Sequence, residues 1–272
     1  MGFQFESSNP AISSMAQSAR DWTDDTNRAT IMGVAEKTAL LVGVTGLAGA
    51  AAYALLPPVF GVLMLSSIVA FVVCLGVGWV LAGTPEYARV LAPIYALAEG
   101  VFLGMFTKVL DQVLAQRGLG PEVIGGSLAL PAFIITISCA ATMLVLYRTG
   151  LLRPTETFKA VVMTFTMGVM LTYLVMFVLS LFGVQMPFIS LGSAMNGGRE
   201  AMIGLGLNAA ILGLASLWLI IDFGKVEEIV RRGSSKEMEW YGAFAMLVTL
   251  AWIYYEAVKL AFRVAMILGK KR

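Results

Sequence analysis

Few ionisable side chains of this sequence fall inside its apolar stretches, and those that could do chemistry at depth are carboxylates: Glu99, Asp222 and Glu256, with the amide of Asn208 beside them. Glu256 stands near the middle of residues 241–268, YGAFAMLVTLAWIYYEAVKLAFRVAMIL. A helix over that run rises 1.5 Å per residue and covers a hydrocarbon core of about 30 Å with residues to spare. A carboxylate at such a depth is costly and faces protein, a partner charge or water. Like charges held close cannot both ionise easily, so acids gathered in one bundle would share a proton, which suits a proton or cation device. The competing reading places Glu256 nearer an interface, with Lys259 and Arg263 at i+3 and i+7 snorkelling it outward.

Glu99 lies in APIYALAEGVFLG. Tyr95 is one turn earlier and can donate to its carboxylate, while Gly100 and Gly104 permit the close approach of another helix. Glu99 is then either a pathway residue or a structural anchor, and the sequence leaves both open. Asp222 closes the apolar part of LIIDFGK, and is either a boundary carboxylate or a partner of Glu256 across a hairpin. With the turn at Gly233-Ser234, an ideal antiparallel hairpin separates the two acids by about 16 Å along the axis. They meet only if the connection is asymmetric, although both could line one water-filled route. Glu227 and Glu228 are spaced to pair with Arg231 and Arg232 on a helix that continues past the bilayer.

The elements that must position these groups are membrane spans. The chain has 272 residues, 58% hydrophobic and 13% charged, against about 25% charged in soluble domains. A polytopic membrane protein is the class that fits. The net charge is +2, and the basic residues form no stripe interleaved with aromatics, which argues against nucleic-acid binding. Histidine is absent, which removes the usual metal ligand, triad base and pH switch. The segment SLGSAMNGGRE lacks the spacing of a nucleotide-binding loop, and no Gly-x-Ser-x-Gly elbow occurs, so no enzyme is expected and no cofactor. Cys74 and Cys139 sit in apolar runs as small hydrophobes, and the sixteen methionines fill irregular helix contacts.

Residues 1–33 read as a polar tail without the apolar core of a secretion signal, and residues 34–272 as one transmembrane domain. Seven apolar runs follow, at about 38–56, 59–81, 90–110, 128–147, 156–182, 201–223 and 241–268. Pro57-Pro58 makes the first link a tight hairpin, and Pro154 with Thr155 and Glu156 marks the start of the fifth helix. Residues 182–200 could dip into the interface as a partial helix. The distribution of Lys and Arg over the short loops places the N-terminus in the cytoplasm, and an odd number of spans then places the C-terminus outside. The surrounding lipid bilayer is the first partner.

The combination of PIYALAEGVFLG, IIDFGKVEEIV and EMEWYGAFAMLVTLAWIYYEAVKLAF resembles the Bax inhibitor-1/YccA family, also called TMBIM or lifeguard proteins, in its longer bacterial form. The resemblance runs over roughly residues 35–268. It implies an all-α, seven-transmembrane-helix bundle with helix seven central, wrapped by two three-helix layers, in a bacterial inner membrane and acting as a monomer. It also implies a pH-sensitive calcium leak in which acids on helices six and seven form the sensor. Asp222 matches the helix-six aspartate, Glu256 takes the helix-seven position, and Glu99 matches the helix-three glutamate, with Tyr95, Asn208 and Glu227 in support. Calcium is the permeant ion so implied, held at most transiently at Asp222 and Glu256. The alternative is a non-transporting regulator that binds a membrane protease or another membrane protein through the tail and the six–seven connection. This chain departs from the pattern in three respects: the helix-seven acid is Glu, the gap between the two acids is wider, and Gly224 stands where longer members often carry a second acid.

Overall fold

The computed structural model describes residues 27–57, 59–120, 126–183 and 191–269. Seven of its helices are long and apolar enough to cross a membrane. They are α1 (Ile31–Leu55), α2 (Phe60–Gly83), α3 (Ala88–Gln116), α4 (Ala129–Arg148), α5 (Glu156–Leu181), α7 (Gly198–Arg231) and α8 (Met238–Gly269). The short helix α6 (Gly192–Asn196) precedes α7, and a 3-10 turn at Pro85–Tyr87 leads into α3. Among the described residues there is no sheet, and a single antiparallel bridge joins Arg28 to Ser235. Most of the tail, residues 1–26, and the last three residues lie outside the described set.

Local chemistry sets the helix ends. Thr30 caps α1, its hydroxyl accepting the Gly33 N–H at 2.9 Å, which satisfies one of the donors a helix start leaves open. Thr155 does the same for Phe158 at the start of α5. The α7–α8 turn uses Gly233 at φ 65°, a conformation that a side chain would strain. Because residues 233–237 are not helical, α8 begins at Met238, three residues before the apolar run itself. The sixth span continues as helix through its polar end to Arg231, with Glu228 pairing to Arg232 one turn on.

Helix α8 occupies the middle. Over its most apolar window 56% of residues are buried, against 11% for α4 and α5, and it packs against α1, α3, α4, α6 and α7. Ile253, Ala257, Val258 and Phe262 of α8 join Leu110 and Leu114 of α3, Ala132 of α4 and Leu219 of α7 in one core. Ala243, Phe244 and Leu247 join Leu41 of α1, Leu81 of α2 and Tyr95 of α3 in a second. The outer faces of α2, α4 and α5 stay apolar and exposed, as with Val72, Ile134 and Phe165, which suits helices that meet lipid.

Helices α1 and α3 approach each other closely at two glycines of α3. A Cβ built on Gly104 would stand 2.2 Å from the Gly49 carbonyl oxygen, and one on Gly100 2.3 Å from that of Thr45. The expected use of these glycines is thus seen, and it fixes the helix that carries Glu99. Gly76 and Gly83 of α2 make no such contact.

Candidate functional site

Glu256 is fully buried on α8. Lys259, one turn on, donates to its Oε1 at 2.7 Å. Asn208 of α7 donates from Nδ2 to Oε2 at 2.7 Å and to the Glu256 backbone carbonyl at 3.2 Å. Both of those atoms are acceptors, so the amide must present its nitrogen to them, and its Oδ1 points elsewhere. That oxygen is buried and accepts no hydrogen bond from the described residues. The Lys259 ammonium also donates to the Tyr173 hydroxyl of α5 at 3.2 Å. It lies over the Tyr255 and Tyr173 rings, 4.5 and 5.3 Å from their centroids. One turn further, Arg263 donates to Ser193 Oγ of α6 at 3.0 Å. A small cleft between α5, α7 and α8, lined by Tyr173, Gly204, Asn208, Lys259 and Arg263, runs beside this group.

The other acids sit apart from it. Asp222 is buried on α7 and accepts the Thr249 hydroxyl of α8 at 2.5 Å. Glu99 is buried on α3 beside the Tyr95 hydroxyl and the Cys74 thiol. Between Glu99 and the Glu256 turn runs an aromatic stack of Phe102, Phe106 and Tyr255. Glu227 accepts the Tyr147 hydroxyl of α4. The sites expected from sequence therefore divide: Glu256 and Asn208 form one cluster, Tyr95 and Glu99 a second, and Asp222 and Glu227 each pair separately.

With this geometry in place, comparison with known families decides what the bundle is. The model of the family described as Bax inhibitor 1 like matches residues 9–266. The chain belongs to the Bax inhibitor 1 like family. Searches of curated proteins and of solved structures gave no match.

In this Bax inhibitor 1 like protein the acids on the sixth and seventh spans have different hydrogen-bond partners. Asp222 is level with Thr249, and seven residues of helix place Glu256 about 10 Å further along the axis. The non-helical turn shortens the separation expected from an ideal hairpin without bringing the two acids to a common partner. The reading in which Lys259 and Arg263 snorkel outward and draw Glu256 toward an interface needs correcting. Lys259 and Arg263 are 8% and 3% exposed, so neither snorkels to an interface. The reason is tertiary: i+3 and i+7 share a helix face with Glu256, and that face meets Tyr173 of α5, Ser193 of α6 and Asn208 of α7.

Two further buried acids escaped the sequence reading. Asp111 of α3 accepts from Tyr53 Oη at 2.8 Å, Ser127 Oγ at 2.5 Å and the Leu128 N–H at 3.1 Å. It ties α1 to the start of α4. Glu239 in the first turn of α8 pairs with Lys37 and accepts the N–H and hydroxyl of Thr30. Both lie at the polar ends of apolar runs, where a carboxylate looks like an ordinary boundary residue. Among the described residues, no group of three or more Cys, Asp or Glu side chains converges as a metal site.

Proposed function

We propose that this protein is a pH-sensitive cation leak of the bacterial inner membrane, with calcium as permeant ion and Glu256, Asp222 and Glu99 as its titrating groups. The observation that carries the reading is Glu256: a carboxylate at 0% exposure, central in the most enclosed span, beside a polar cleft. An intramembrane acid held this way belongs to ion or proton pathways more often than to scaffolding. Glu256 is balanced by Lys259 and bonded to Asn208, so a path through it would require those bonds to part. Asp222 and Glu99 occupy other sectors of the bundle and would act in sequence along the path. The reading carries with it an N-terminus in the cytoplasm, a monomer, and the two-layer wrapping of α8 by the remaining spans. It also carries affiliation with the longer bacterial form of the family.

The test is calcium flux into proteoliposomes measured at two pH values. Wild type is expected to leak with a rate that changes with pH, and Glu256→Gln to lose that dependence while remaining folded. Asp222→Asn should weaken it. Absence of flux from wild type at either pH sinks the activity, and unchanged pH dependence in both variants sinks the assignment of the site.

A second reading, a regulator that binds a membrane protease or another membrane protein, draws on a different observation. Residues 27–29 are tied to the α7–α8 turn, with Ala29 N–H donating to Ser234 O at 2.8 Å and Lys236 N–H to Asn27 O at 2.9 Å. The end of the tail and the polar turn thus form one surface, as a docking partner would need. Loss of partner co-purification on removing residues 1–30, with flux intact, would favour it.

A further inference from the structure

Glu256 is bonded to a cation that the protein itself supplies, and the surroundings of that cation have the make-up of a binding site. A carboxylate oxygen and a phenol oxygen accept from the Lys259 ammonium, and two tyrosine rings flank it at cation–π distance. The walls come from three different helices, α5, α7 and α8. The unused Asn208 Oδ1 is a buried acceptor in the wall of the adjoining cleft. A buried acceptor left bare in the wall of the cleft that Lys259 also lines calls for an occupant, a water or an ion.

We propose that Lys259 is a tethered cation that fills a cation site built on Glu256, and that a cation from solution binds there only by displacing it. This deepens the leak reading and rests on it for the purpose of the site, although occupancy can be measured without flux. In the exchange the ammonium leaves Glu256 Oε1 and swings on its four-carbon stem into the cleft, where Gly204 presents no side chain. The incoming cation takes Glu256 Oε1 and the Tyr173 hydroxyl, the two oxygens that the ammonium vacates. No covalent bond changes, and the site gains the charge of the incoming ion. Arg263 keeps its contact with Ser193 one turn away and raises the local positive potential, so a cation is admitted poorly while Lys259 stays in place.

The experiment compares wild type, Lys259→Met, Lys259→Gln and Lys259→Met/Glu256→Gln in detergent, with calcium chloride as probe and choline chloride at matched ionic strength as control. Calcium affinity is read from the shift in thermal unfolding. Lys259→Met is expected to bind calcium at least about tenfold more tightly than wild type, Lys259→Gln to gain less, and the double variant to show no calcium-specific shift. Recovery of Lys259→Met in folded form only when calcium or methylammonium is present supports the same conclusion. Calcium affinity equal to wild type in both single variants overturns the proposal, as does failure of both to fold with either cation present. Flux in the same preparations judges the leak separately: a calcium shift without flux keeps the tethered cation and removes the leak.

Discussion

Asp222 on α7 accepts the Thr249 hydroxyl of α8 at 2.5 Å, and this bond ties the sixth span to the central seventh. Both residues are buried, so removing the donor leaves a carboxylate without its partner in a medium that cannot replace it. Thr249→Val keeps the shape and is expected to lower stability by about 1–3 kcal/mol. Thr249→Ser should restore most of the loss, because it returns the hydroxyl. Thermal unfolding in detergent distinguishes the two. An equal loss in both variants would instead assign the effect to packing of the Thr methyl.

The α1–α3 contact gives a prediction about volume. Gly100→Ala and Gly104→Ala place a methyl 2.3 and 2.2 Å from backbone oxygens, closer than any Cβ can lie. The helices must part, and overpacking of this kind costs about 1–3 kcal/mol or more. Gly76→Ala serves as the control, since its Cβ would meet nothing within 4 Å and alanine is the better helix former. Unfolding temperatures should fall for the first two and stay level or rise for the third. A fall in Gly76→Ala of the same size would deny the contact its special place.

How much of this was readable beforehand depends on the range of the interaction concerned. Span number and order were legible, because each span is a local apolar run long enough for a bilayer and ends at Pro, Gly or charge. The glycine contact at 100 and 104 was legible from spacing on one helix. Glu256 stood out because its cost is set by its own neighbours in sequence. Lys259 was visible too, yet whether i+3 points to lipid, water or protein is decided by α5 and α7, which residues 241–268 do not encode. Tyr173 and Ser193, the groups that hold the two cations inside, lie far away in sequence and on helices whose apolar runs give them no distinction. Asp111 and Glu239 failed for the opposite reason: a carboxylate at the end of an apolar run has an unremarkable explanation, and their burial follows only from Tyr53, Ser127 and Thr30.

The Asp111 cluster tests whether such an end-of-span acid is structural. Its carboxylate takes three donors, one of them the Leu128 N–H that precedes α4. Tyr53→Phe removes one donor and is expected to cost about 0.5–1.5 kcal/mol. Asp111→Ala removes all three bonds and leaves two hydroxyls and an N–H to find other partners, so the loss should be several times larger. Amide hydrogen exchange at the start of α4 should rise sharply in Asp111→Ala and little in Tyr53→Phe. Equal exchange in the two would show that the Tyr53 bond alone holds the junction.

Glu239 makes the sharpest case for an acid that anchors rather than conducts. It is 1% exposed, and a Cβ on Gly33 would stand 2.1 Å from its Oε1, so α1 is cut to fit around the carboxylate. Lys37, itself partly exposed, supplies the balancing charge, and leaving the buried carboxylate without that partner costs about 1–3 kcal/mol. Lys37→Met is therefore expected to destabilise strongly. Glu239→Gln should cost less, because its amide oxygen still accepts from Thr30. Both should loosen residues 27–30 from the α7–α8 turn, since Thr30 is the link between that segment and α8. Limited proteolysis near Arg28 and Lys236 reports the release directly. If Lys37→Met proved harmless while cleavage stayed slow, Thr30 alone would hold Glu239, and the ion pair would have no part in closing this end of the bundle.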